Sequence, residues 1–265
     1  MLDRFKKLYL PFFFTSCGLV VGYIYLKWVV VDHFQLIQPK EELVNFWIPF
    51  FLGTVVAYWV MAPRFKVFNF SQRKRDIVSY GIWGFMVAPL LLGINYFDSL
   101  DAGLTTVEHP SQISTTPLST YYNIQSTQVL KNNYGFYVTM EEMGRYGTQA
   151  KVTCYFVSPL IDDNSSYNVD SQLVETWIGY DFSRSFSTSD TRDSKKMNEY
   201  VQETFKSFKA HQFQTTFLHR LGNSDQKDAY LNAILDSKLP FDKENIFLFE
   251  EKKGDLVDQK ASQTG

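Results

Sequence analysis

Hydrophobic and polar positions divide the chain into three long apolar stretches and a following region of mixed periodicity. Leu8 to Val31 is apolar apart from a few Tyr, Thr and Ser and the charge of Lys27, whereas Val44 to Ala62 and Ile77 to Phe97 hold no charged residue. Roughly 20 helical residues cross a hydrocarbon core about 30 Å thick. Backbone amides left unpaired in lipid drive such segments into helices, so the pattern predicts three spans at about 8–31, 44–62 and 77–97 within a membrane domain of residues 1–97. Lys27 lies near the end of the first span, where its long stem is expected to carry the ammonium to the headgroups.

After the spans the pattern shortens to strands. Tyr121 to Leu130, Tyr134 to Met140, Lys151 to Val157 and Glu175 to Phe186 are rich in Tyr, Val, Thr and Phe. Turn-forming Asn132-Asn133, Gly144 and Gly147 and the polar loop Asp162-Asp163-Asn164-Ser165-Ser166 separate them. From Thr191 the period lengthens: Met197, Val201, Phe205 and Phe208 recur at four, four and three residues, as on one face of a helix. Gln212 to Arg220 reads as extended, and Ser224 stands where a helix N-cap belongs. Asp225 suits the positive end of the helix that follows, to about Asp236, and Ile246 to Phe249 is a last short strand. This order predicts an α+β domain over residues 119–250, its helices laid on a mainly antiparallel sheet. Residues 98–118, with Pro110 and Pro117, read as a linker, and 251–265 as a polar, mobile tail.

Charge sharpens the picture. Residues 1–97 carry 10 Lys/Arg against 5 Asp/Glu, and residues 98–265 carry 16 against 23, so the net charges are +5 and −7. Lys and Arg are retained in cytoplasmic loops. Arg4, Lys6 and Lys7 precede the first span, and Arg64, Lys66, Arg73, Lys74 and Arg75 lie between the second and third. Between the first and second, Lys40 is outnumbered by Asp32, Glu41 and Glu42. The expected arrangement is a multi-pass protein of a bacterial inner (cytoplasmic) membrane, N-terminus inside and the α+β domain extracytoplasmic. Trp28, Trp47, Trp59 and Tyr96 fall near span ends, where amphipathic rings prefer the interface. Phe14-Thr15-Ser16-Cys17-Gly18 resembles a lipoprotein processing site only loosely, because the apolar run continues far beyond it. The mildly acidic total of −2 excludes a general nucleic-acid binder.

Candidate chemistry is sparse. His33, His109, His211, His219, Cys17 and Cys154 offer no ligand pair at useful spacing for a metal, and Cys154 reads as core between Val152 and Phe156. There is no G-x-S-x-G elbow and no phosphate- or dinucleotide-binding glycine pattern, so no cofactor is expected. Ser224, Asp225 and His219 make a triad only on paper, since capping explains Ser224. Glu141-Glu142 and Asp162-Asp163 read as solvated turns. Gly18 and Gly22 form a GxxxG spacing and Gly84 and Ala88 repeat it, which suits close packing of the spans on one another or, as an alternative, a homo-oligomer.

Asn45-Phe46-Trp47-Ile48-Pro49-Phe50, Tyr121-Tyr122-Asn123-Ile124 and His219-Arg220-Leu221-Gly222-Asn223-Ser224-Asp225 give the chain a resemblance, to about Ser237. It resembles the three-span-plus-outer-domain region of bacterial membrane proteins assigned to the rhomboid family of intramembrane serine proteases. The resemblance implies a serine in a G-x-S-G setting on one span and a histidine on another; this chain has neither. Family members continue into a further hydrophobic segment, so the expectation is a shortened relative or an accessory module without protease activity. Three readings stand: a non-catalytic protein of the lipid bilayer whose outer domain binds or senses a protein partner; a rhomboid-type protease or its regulatory module; and a structural anchor oligomerising through Gly18 and Gly22.

Overall fold

The structure is a computed structural model that describes residues 2–33, 39–65, 71–101, 103–144, 148–163, 173–191, 193–242 and 245–251. Lys66, Gly147, Asn164 to Ser166 and the tail from residue 252 lie outside the described residues. The chain forms two compact units, Met1–Asp101 and Ala102–Gly265.

The first unit is helical. Helix α1 (Leu2–Lys27) continues through a wide π-helical turn at Trp28–His33. The second span is π-helical over Leu43–Trp47, α-helical over Ile48–Val55 (α2) and π-helical again over Val56–Met61, before short α3 (Ala62–Phe65). Helix α4 (Gln72–Asp101) runs unbroken through Pro89. Three segments, Leu10–Val31, Leu43–Met61 and Gln72–Asp98, are long and apolar enough to cross a membrane. Met86, Leu90 and Ile94 recur every four residues on α4 and are wholly buried. They pack on Ala57 and Met61 of the second span and on Tyr23 of α1. The outward faces are the reverse of a water-soluble bundle: Phe14, Val21, Phe85, Leu92 and Trp59 are exposed, as side chains in contact with a lipid bilayer are.

Close approach between helices falls at glycines other than those the GxxxG spacing suggests. A Cβ added at Gly53 would stand 2.9 Å from Val87 Cγ2, and one at Gly93 would stand 3.0 Å from Val20 Cγ1. At Gly18, Gly22 and Gly84 it would meet nothing within 4 Å, and Ala88 is exposed. Polar groups also join the helices. Trp83 Nε1 donates to Thr54 Oγ1 at 2.9 Å, and Tyr23 OH donates to the Val44 carbonyl at 2.5 Å. Lys27 has a partner within the helical unit. Its ammonium pairs with Asp98 near the end of α4, and its side chain is only 10% exposed. Changing Asp98 alone to Leu leaves that cation enclosed, at an expected cost of about 2 kcal/mol, below the roughly 3–5 of a fully buried pair because Asp98 stays partly open. Adding Lys27→Met should restore most of the loss, as measured by denaturation in mixed micelles; additive single effects would exclude the coupling.

The second unit is one eight-stranded sheet with helices on both faces. Its strands are β1 (Leu104–Val107), β2 (Tyr121–Ile124), β3 (Thr127–Val129), β4 (Gly135–Met143), β5 (Gln149–Asp162), β6 (Thr176–Ser187), β7 (Leu218–Arg220) and β8 (Phe247–Glu251). Their order is β1-β2-β7-β8-β6-β5-β3, with β4 also pairing β5. The sheet is mixed, correcting the expectation of a mainly antiparallel one: β1 pairs β2 and β6 pairs β8 in parallel. Parallel neighbours need crossovers. After β6 the chain makes the short helix α5 (Thr188–Thr191), α6 (Ser194–Ala210), β7 and α7 (Asp225–Asp236) before β8 returns beside β6. The segment read as a linker is also structured. Helix α4 extends to Asp101, β1 joins the sheet, and the 3-10 turn Pro110–Thr115 buries Ile113.

Burial explains why β5 reads as continuously apolar. Every residue from Val152 to Ile161 is buried, as in strands covered on both faces. On one face Tyr155, Val157, Trp177 and Leu248 pack against Ala229, Tyr230, Ala233 and Ile234 of α7. On the other, Val152, Cys154 and Phe156 meet Tyr200, Phe205 and Phe208 of α6. Both helices start with caps: Asp193 accepts from the Lys195 amide and Ser224 from the Lys227 amide.

Candidate functional site

The densest polar arrangement is built around the end of β8. Successive residues of a strand point to opposite faces, so Glu250 and Glu251 serve the two sides of the sheet separately. On the α7 side, Glu250 Oε1 accepts from Tyr230 OH at 2.5 Å and from Gln226 Nε2 at 2.6 Å. His219 on β7 is its cross-strand partner, and Tyr121 on β2 stands opposite His219, their rings 5.4 Å apart. A row Tyr121, His219, Glu250 therefore crosses three strands. Burial, and then the negative charge of Glu250, hold the Tyr230 hydroxyl well above its ordinary range, so it remains a donor.

On the α6 side, Glu251 Oε2 meets His211 Nε2 at 2.7 Å, and its Oε1 accepts from the Gln214 amide. Lys131 donates to the His211 carbonyl, and the imidazole lies 4.2 Å from the Tyr180 ring and 4.8 Å from that of Phe213. Further along this face, Tyr200 OH donates to the Phe182 carbonyl at 2.9 Å, and burial pushes its hydroxyl up to about 12. Burial likewise raises the Cys154 thiol, which is wholly enclosed. A buried, protonated thiol is inert packing rather than a nucleophile.

The sequence motifs are partly reunited. Tyr121-Tyr122 and the strand that holds His219-Arg220 are neighbours in the sheet, with Tyr121 facing His219 and Tyr122 facing Leu218. His211 and His219 lie on opposite faces, so they share no ion, and no group of three His, Cys, Asp or Glu able to hold a metal occurs among the described residues. Ser224 caps α7. Glu141 stands across from Lys151, while Asp162 accepts from Ser111 Oγ at 2.9 Å. Of the basic residues used for orientation, Arg4, Lys6 and Lys7 fall in the first turns of α1, Arg64 is exposed and donates to the Val60 carbonyl, and Arg73, Lys74 and Arg75 open α4.

The sequence pattern ends the domain at Glu250 and opens the polar tail at Glu251, so neither carboxylate stands out. The alternation Phe247, Leu248, Phe249 could have carried the strand two residues further. No protein-family model matches the chain, and no match to it exists among the curated proteins or the solved structures compared with it.

Proposed function

We propose that this is a non-catalytic integral membrane protein whose sheet domain binds or senses a protein partner on the extracytoplasmic side of the inner membrane. The orientation rests on the Lys/Arg asymmetry of the short loops. The binding reading rests on one observation: both faces of the sheet are occupied by helices, yet among the described residues β4 pairs only with β5. Beyond Gly135, which α7 covers, its outer edge is flanked by exposed Tyr137, Met140 and Met143. Such an edge is a template for an incoming strand, with the backbone supplying affinity and alternate side chains supplying specificity.

The test uses the full-length protein in cells. A photo-crosslinking residue at Met140 should trap a defined partner, and the same residue at Gln202, on the exposed face of α6, should not. Equal trapping at both positions would remove the edge as the recognition surface. A reporter enzyme fused after Tyr96 should be active only outside the cytosol; cytosolic activity would overturn the orientation.

A further inference from the structure

We propose that the strand received at the edge of β4 is the β4 of a second copy of this chain, running antiparallel to the first around a two-fold axis at Met140. This assignment rests on the edge recognition above and names its occupant.

The edge lacks most of the devices that keep sheets apart. Natural proteins guard a free edge with lysine, proline, a bulge or a very short strand. Gly135 to Met143 contains no Lys, Arg or Pro, and its only charges are Glu141 and Glu142 near one end. Its register with β5 runs unbroken through nine consecutive pairs, from Gly135 opposite Val157 to Met143 opposite Gln149. Since α7 covers Gly135, the open stretch runs from Tyr137 to Met143, and Tyr137, Met140 and Met143 are its exposed large apolar side chains.

Their spacing is symmetric. Tyr137 and Met143 each stand three residues from Met140. An antiparallel copy centred there sets Met140 against Met140 and, at both ends, Tyr137 against Met143, a contact of sulfur with an aromatic ring that is favourable. Faces match as well. Alternation puts Tyr137 and Met143 on the side of Gly135, which faces α7, and Met140 on the side of Phe136 and Val138, which pack towards α6. A two-fold axis perpendicular to the sheet keeps every side chain on its own side, so each pair meets.

Charge selects this register over its neighbours. With the axis at Met140, Thr139 faces Glu141 and Val138 faces Glu142, and no two carboxylates stand directly opposite. The two Glu141 side chains are diagonal to one another, and each has Lys151 across from it on β5. Centring on Glu141 or Glu142 would set like charges face to face, which destabilises a strand pair. Centring on Thr139 would set Tyr137 against Glu141 and Met143 against Gly135, where α7 already lies. The contact is short, and each copy carries three membrane-capable helices. Confinement of both copies to one bilayer raises their effective concentration.

The experiment uses the purified full-length protein in lipid vesicles, with Cys17→Ser so that buried Cys154 is the one remaining native thiol. A short bismaleimide should join Met140→Cys chains to each other and Tyr137→Cys chains to Met143→Cys chains, but should not join Gln202→Cys chains through the exposed face of α6. Met140→Lys and Met140→Glu, read by crosslinking of Tyr137→Cys to Met143→Cys, should each lower the paired fraction by about fivefold, because like charges then face each other across the axis. An equimolar mixture of the two should restore it. Met140 is exposed, so neither change disturbs the fold of a single copy. Purified chains that do not crosslink from Met140, or a mixture no better paired than its separate variants, would overturn the pairing. If β4 traps a different protein in cells while the purified chain does not pair, the second copy is overturned and edge recognition stands. If it traps nothing in cells and the purified chain does not pair, both fall.

Discussion

Gly135→Ala is expected to destabilise the sheet domain by about 3 kcal/mol or more, at the upper end of what overpacking costs. A Cβ at this position would stand 1.8 Å from the Ala233 carbonyl oxygen and 2.6 Å from its carbon. The obstacle is backbone in the last turn of α7, so no rotamer change relieves it. Either β4 must leave β5 or α7 must lift from the sheet, and lifting α7 uncovers Trp177, Tyr155 and Leu248, which it helps to bury. Pulse proteolysis of the full-length protein across a urea series would read the loss. Gly18→Ala is the matched control: a Cβ there meets nothing within 4 Å, and the same measurement should not move. Equal stability of the wild type and Gly135→Ala would mean that α7 does not cross β4 at this distance.

Phe156→Ala should cost about 3–5 kcal/mol, the range for a wholly buried aromatic truncated to a methyl group. Phe156 is the hub of the α6-side core. Its ring stacks on Phe208 at 4.5 Å and lies 4.9 Å from Phe136, 5.1 Å from Phe205 and 5.8 Å from Phe182. Those rings come from β4, β6 and α6, so the cavity left behind is walled by three elements and cannot collapse by moving one. Phe156→Leu keeps most of the volume and should lose about 1–1.5 kcal/mol. The same urea series orders the variants; a smaller loss for Ala than for Leu would show that the site repacks.

The two predictions differ in how visible their residues are beforehand. Phe156 sits in an apolar run that any periodicity reading places in a core. Gly135 falls inside the segment Tyr134 to Met140 that reads as a strand, with no local mark of its own; only the crossing of α7 reveals that a hydrogen atom is all the space allows. The spans show the same division. Their lengths and apolar composition are local properties, but Gly53 and Gly93, rather than Gly18 and Gly22, take the close contacts. Which face of a helix is turned inward depends on its neighbours. Lys27 behaves likewise: its place near a span end is local, whereas its partner Asp98 comes from another helix.

The functional site was the least legible part. Glu250 and Glu251 stand in a polar stretch, and each acquires meaning only from partners 20 to 40 residues earlier in the chain. Two histidines eight residues apart gave no sign of lying on opposite faces, since the intervening segment has no regular period.

From the sequence alone came the three membrane-capable helices, the two helices beyond them with the Ser224 cap of the second, and most strand-forming segments, because hydrophobic period, capping chemistry and turn residues act over a few positions. Tertiary structure alone decided that the sheet is mixed, that residues 104–107 belong to it, and that Glu251 holds His211 and the Gln214 amide while its neighbour Glu250 holds Tyr230. Strand order and cross-sheet pairing are settled by which distant surfaces bury each other, and that competition leaves no periodic trace in a single chain.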